Sequence, residues 1–225
     1  MWAIIKKEFK STFFSPIGYI VVAMFLIIFS TLFYIFSINS RSIDLSSIYY
    51  GTALYGLPII TAVITMKSFS EERSKDTEQL LFMSPRSTLS IVMGKFLAIV
   101  SVIVVTLIIS FMYYLVLLQC GVPDIRLILV TMLGFLLLSM AYISFGLLAS
   151  SITESQVVSA IITLIFLMSP LFASYGNGIF SYLSLINLFT KFSLGVISAK
   201  EVVGLISFSV MCISLVVIGF KKRLK

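Results

Sequence analysis

The residues best equipped for chemistry lie in one short stretch. Glu71 and Glu72 form a carboxylate pair, Arg73 follows them, and Lys75, Asp76, Thr77 and Glu78 come next. In so apolar a chain, paired carboxylates raise the prospect of a membrane hydrolase. The other parts of that chemistry are missing. The sequence has no histidine and only two cysteines, Cys120 and Cys212, hence no Cys/His cluster for zinc. Gly94-Lys95 is the only Gly-Lys pair and lacks the spaced upstream glycine of a phosphate-binding loop. It reads as a helix start with a snorkelling lysine. The cysteines read as unpaired small apolar residues, Cys212 within an apolar helix. No catalytic, cofactor-binding or metal-binding residue is therefore expected on this chain.

The charged stretch reads instead as a short helix with clear punctuation. Asp76 or Thr77 can cap its first turn, with Gln79 in capping-box spacing from Asp76. Glu78 stands where the helix dipole favours an anion. Leu80, Leu81, Phe82 and Met83 make an apolar patch, and Pro85 ends the helix. Eight residues give a rod of about 12 Å. Such a rod fits a groove on a soluble partner, or rests solvated on a membrane surface; the residues alone leave both open. A second short loop, 149–156, holds Ser151 with Glu154 and Thr153 with Gln156, both in capping-box spacing. On the residues alone it is a tight helix–helix turn that starts the next helix directly.

These loops must be positioned by membrane helices. Of 225 residues, 60% are hydrophobic and 11% charged, with mean hydropathy +1.14. A soluble domain of this size is usually about 45–50% apolar and about 25% charged. A hydrocarbon core about 30 Å thick needs about 20 apolar residues of helix. Six stretches qualify, at about 17–38, 51–69, 91–118, 127–149, 156–173 and 202–220, the fifth being the shortest. Pro58 and Pro170 are placed to kink spans two and five. The expected fold is all-α: one membrane domain over 1–225, with six transmembrane helices. The first apolar run is too long for a cleavable signal peptide and lacks a small-residue cleavage site.

Lys and Arg orient the spans. Lys6, Lys7, Lys10, Lys67, Arg73, Lys75, Arg86, Lys95, Lys221, Lys222, Arg223 and Lys225 fall on one side of a six-span topology. Only Arg41, Arg126, Lys191 and Lys200 fall on the other. By the positive-inside rule both termini and the 70–90 loop are cytoplasmic. This placement beside apolar spans explains the net charge of +7 without nucleic acid. Before span one, Trp2, Ile5, Phe9 and Phe13 recur at helical spacing between lysines, the pattern of an N-terminal interfacial helix on anionic lipid. Ser15-Pro16 then marks the break before span one. Between spans five and six, residues 174–199 are weakly apolar and almost uncharged. Short helices packed into the outer leaflet are expected there, with 179–197 helical and shielded from water.

Taken in order, Glu71-Glu72-Arg73, Asp76-Thr77-Glu78, Leu80-Leu81 and Pro85 resemble the first coupling helix of ABC-2 type transporter permeases. Residues 150–156 are similar to that family's second cytoplasmic loop. Ser15-Pro16-Ile17-Gly18-Tyr19, and the run from Tyr182 through Gly195-Val196-Ile197 into Val202, also fit. Together they look most like the gliding-motility-type branch. One departure is Asp76, where the family usually has glycine. The resemblance implies a permease subunit of an ABC exporter in a bacterial or archaeal cell membrane. It implies a facing second permease, identical or a sister chain, and two separate ATPase subunits that bind ATP and Mg. The residues it implies at the ATPase interface are Glu71, Glu72, Arg73, Asp76, Thr77, Glu78, Leu80, Leu81, Pro85, Ser151, Thr153 and Glu154.

Three other readings compete. Glu71-Glu72 beside Arg73 is similar to the acidic motif of intramembrane CAAX-type proteases, which need histidines this chain lacks. A self-sufficient channel or ion-coupled carrier usually places ionisable residues inside its spans, where this sequence has almost none. A non-translocating ABC relative that only transmits motion would share the loops.

Overall fold

The computed structural model describes residues 9–10, 16–39, 44–74, 88–119, 123–173 and 185–223. Every regular element among them is helical. α1 is Pro16–Phe33, extended by a π-helical turn at Tyr34–Asn39. α2 (Leu45–Gly51), a second π-helical turn (Thr52–Gly56), α3 (Leu57–Thr65) and the short α4 (Ser70–Ser74) follow in line. Next come α5 (Thr88–Ser110), α6 (Met112–Leu117), α7 (Ile125–Ile152) and α8 (Gln156–Ala173). α9 (Leu185–Ser193) and α10 (Ala199–Arg223) complete the chain.

Among the described residues, five stretches are long and apolar enough to cross a membrane: Pro16–Ser37, Leu45–Ser74, Thr88–Leu117, Ile125–Ile152 and Ala199–Lys222. Of the six expected crossings, the one at 156–173 is the exception. Its helix, α8, carries a shorter apolar stretch, Gln156–Ser169. The interfacial helix expected over residues 2–13 lies, apart from helical Phe9 and Lys10, outside the described residues.

Two details of span two follow from local chemistry. It begins at Leu45 rather than Gly51, because Asp44 caps it. One Asp44 oxygen accepts from the Ser46 N–H at 3.0 Å and the Ser46 hydroxyl at 2.6 Å; the other accepts from the Ser47 hydroxyl at 2.6 Å. Burial pushes the Asp44 carboxyl upward, but these hydrogen bonds outweigh it and hold the group below its ordinary value. Further along, Pro58 lacks an N–H and its ring crowds the carbonyl one turn back. The π-helical turn before it absorbs the crowding: the Leu57 N–H donates to the Thr52 carbonyl, five residues back.

α7 is the central helix, packed against α2, α3, α5, α8, α9 and α10. Glycines let two neighbours approach closely, as is usual where lipid gives no hydrophobic drive between helices. A Cβ on Gly146 would lie 2.3 Å from the Thr65 hydroxyl of α3, and one on Gly134 would lie 2.4 Å from Phe192 of α9. On α1, Phe25, Phe29 and Phe33 recur at helical spacing and are buried. They meet Tyr49, Tyr113 and Phe135 with ring centroids 5.0–6.0 Å apart. The buried Tyr49 hydroxyl is satisfied by the Ser110 hydroxyl at 2.8 Å.

One end of the bundle gathers the start of α7, α9 and the start of α10. The Thr131 hydroxyl of α7 donates to the Phe192 carbonyl at 3.2 Å, and Lys191 of α9 pairs with Glu201 of α10 at 2.7 Å. α9 closes in a Schellman motif: the Val196 N–H donates to the Lys191 carbonyl and the Gly195 N–H to the Phe192 carbonyl. Gly195 takes φ +78°, a left-handed conformation that glycine adopts without strain. Within the stretch expected to be helical and shielded, 185–193 is helical, with Phe189 and Phe192 fully buried. Leu194, Val196 and Ile197 instead protrude from the protein, because the glycine turn has carried the chain out of the helix. Residues 174–184 lie outside the described residues.

Candidate functional site: the loop cluster at the basic end

The opposite end of the bundle collects Lys67, Arg73, Lys95, Lys221 and Lys222, and both charged loops meet there. α3 passes through a turn into α4, whose first amides need partners because nothing precedes them in the helix. The partner comes from another span. The Ser150 hydroxyl, near the C-terminus of α7, accepts from the Phe69 N–H at 3.0 Å and the Ser70 N–H at 3.1 Å. The Ser70 hydroxyl also lies 3.2 Å from the Ser150 carbonyl and 3.1 Å from its hydroxyl. Ser70 and Ser150 are fully buried. Thus α7 caps α4 across the fold.

Three more contacts close the cluster. Arg73 donates to the Ile152 carbonyl at 2.9 Å and pairs with Glu154 at 2.7 Å. The Glu154 side chain is 70% exposed. Such a pair contributes about 0–1 kcal/mol. Lys95, in the second turn of α5, points its ammonium at the Ser68 carbonyl and the Glu72 carboxylate. That ammonium also sits 4.7 Å from the centre of the Phe69 ring. The Phe69 ring in turn lies 5.0 Å from Phe220 at the end of α10.

Of the interface residues implied by sequence, the structure gathers six. Glu71, Glu72 and Arg73 sit on α4, Ser151 in the last turn of α7, and Thr153 and Glu154 on the α7–α8 connection. Asp76, Thr77, Glu78, Leu80, Leu81 and Pro85 lie outside the described residues. Two local expectations are corrected. Ser151 and Thr153 do not cap the start of α8. α7 runs past Ala149 to Ile152, and both hydroxyls donate backward, to the carbonyls of Leu148 at 2.7 Å and Ala149 at 3.1 Å. Glu154 turns to Arg73 rather than back to Ser151. Lys95 does not snorkel. It is 5% exposed, because Ser68, Glu72 and the face of Phe69 satisfy its charge within the protein.

The sequence did not single out Ser150 or Phe220 for this site, and Lys95 read there only as a snorkelling residue. For Lys95 a signal was present: a charge two turns inside an apolar helix invites a search for its partner. Nothing about Ser150 distinguishes it from Ser151 by type or spacing. Among the described residues no group of three His, Cys, Asp or Glu could hold a metal ion. The arrangement joins four spans through two loops.

Residues 39–220 match the family model described as ABC-2 family transporter protein. The match takes in the bonded residues of the loop cluster from Ser68 to Phe220, and stops short of Lys221 and Lys222. No curated protein matches the chain.

Proposed function

The chain belongs to the ABC-2 transporter family, and from that premise we propose that it is the membrane-spanning subunit of an exporter driven by separate ATPase subunits. It is a multi-pass membrane permease component of an ABC transporter. Two such permeases, identical or sister chains, face one another in a bacterial or archaeal cell membrane. The basic end of the bundle and both termini lie in the cytoplasm. Two ATPase subunits bind ATP and Mg there and carry all the hydrolysis. The segment 71–85 docks into a groove on one of them, and the α7–α8 connection at 150–156 contributes to the same contact.

The family match carries this reading. The loop cluster supports its second half, since α4 and the α7–α8 connection stand side by side where a single partner can touch both. Basic residues on that end suit the cytoplasmic side of a membrane. The described spans hold almost no charge in their middle, which suits an apolar or amphipathic cargo.

Substitution in the apolar patch of the loop tests the docking. Leu81→Asp places a charge in the expected contact, and an unpaired buried charge typically costs several kcal/mol. At about 1.4 kcal/mol for each tenfold in affinity, the ATPase should no longer co-purify. Glu78→Ala should do less, about 0.3–1 kcal/mol for a charge at a helix start. Ser42→Asp serves as the control. Should Leu81→Asp hold the ATPase as well as Ser42→Asp does, the docking assignment fails.

A further inference from the structure

We propose that Lys95 and Glu72 form a positioning pair that transmits movement of the α4 segment to α5. The inference rests on the reading that an ATPase acts on this loop. The α4 segment has separate attachments to three spans: Ser150 ties it to α7, the Phe69–Phe220 ring contact ties it to α10, and Lys95 ties it to α5. The attachments differ in kind. In Arg73–Glu154 the carboxylate is 70% exposed, so water replaces it at little cost and the contact can open and close. The Lys95 ammonium is buried under the Phe69 ring, with Ser68 and Glu72 as its partners. Moving residues 68–72 without α5 would strand a charge in an apolar surrounding, a strongly unfavourable state. α5 must therefore follow the segment.

The chemistry also explains why an ion pair stands where an apolar pair would pack. Two apolar side chains would hold α4 and α5 together equally well at rest. They would not resist sliding, because dispersion contacts are non-directional and re-form at each step. An ammonium held between a carbonyl and a carboxylate fixes direction as well as distance.

The experiment uses the permease purified in complex with its ATPase, comparing wild type, Lys95→Met, and the double variant Lys95→Met with Glu72→Met. The readouts are thermal stability, co-purification of the ATPase, and the change in ATPase rate caused by the permease. Lys95→Met alone should lower stability, since it leaves Glu72 without its cation. With the ATPase added to saturation, so that any docking affinity lost at Glu72 is made up by concentration, the double variant should regain stability yet lose at least tenfold of the permease-dependent change in rate. A double variant that regains both stability and rate change shows the pair to be a static fastening and overturns the proposal. One that stays unstable also overturns it, since the pair would then serve folding rather than transmission. If the wild-type permease neither holds nor alters an ATPase, the proposed function itself is what fails.

Discussion

Replacing Ser150 by alanine isolates the joint between the two loops. Its hydroxyl is the acceptor for two amides, Phe69 N–H and Ser70 N–H, both on buried residues. Alanine leaves both donors without a partner and gives nothing in return. A buried donor left unsatisfied costs about 1–3 kcal/mol. The sum is about 2–6 kcal/mol, and the lower end applies because the joint sits at the end of the bundle, where water can reach once it loosens. The loss should be local: the core around Phe29, Tyr49 and Phe135 lies elsewhere, so α4 opens while the spans stay packed. About 2 kcal/mol corresponds to roughly 30-fold in an opening equilibrium. Amide hydrogen exchange, resolved at Phe69 and Ser70 in lipid nanodiscs, should therefore speed up by roughly 30-fold. Ser151→Ala is the matched control, because the Ser151 hydroxyl only donates back to the Leu148 carbonyl within its own helix. If the Phe69 and Ser70 amides exchange in Ser150→Ala as slowly as in Ser151→Ala, the cross-fold cap is not what holds α4.

Other substitutions test the packing and the turns. Gly146→Ala brings a methyl within 2.3 Å of the Thr65 hydroxyl, so α3 and α7 must part. A loss of about 1–3 kcal/mol is expected in thermal unfolding, partly recovered by Thr65→Ala. Gly195→Ala forces a side chain into a left-handed conformation at φ +78°, where about 1–2 kcal/mol of destabilisation is expected, read by exchange across 185–196. Asp44→Ala removes the cap of α2 and should cost about 0.5–2 kcal/mol in the melting of the purified chain. Because the folded Asp44 carboxyl titrates below its ordinary value, its contribution is present above that value and fades as pH falls through the folded one. The melting difference between wild type and Asp44→Ala should therefore shrink only in strong acid. Finally, single cysteines at 75 and 221 should label from the cytoplasmic side, and those at 41 and 191 from outside, in a chain lacking Cys120 and Cys212.

The helical spans were legible because a bilayer demands about 20 apolar residues in a row, a signal that survives any detail of packing. Their ends were not. The start of span two was hidden because Ser46, Ser47, Tyr49 and Tyr50 look polar, although Asp44 two residues before Ser46 carried a capping signal. The α7–α8 connection was misread because Ser and Thr spacing is blind to direction. The same hydroxyl can cap a following helix or bond back into a preceding one, and here α7 is long enough to claim both Ser151 and Thr153. The Lys95–Glu72 pair joins residues 23 positions apart, a separation at which no periodicity operates. The family was legible from the order of the loop motifs; the branch within it is not distinguished by the family match.

α7 bears on the surrounding lipid. With 28 residues it is about 42 Å long, and even at a tilt of about 20° it projects about 39 Å along the normal. The hydrocarbon layer accounts for about 30 Å of that. Shared between its two ends, the remaining length of about 9 Å sets the last turn, bearing Ser150, at about the edge of the acyl chains, at a height that depends on the thickness of the layer. Bilayers a few ångströms thicker draw the Ser150 joint toward the acyl chains, and thinner ones push it out toward the water. Two reconstitutions with the same headgroups but different acyl-chain lengths would therefore present the loop platform to a soluble partner at different depths.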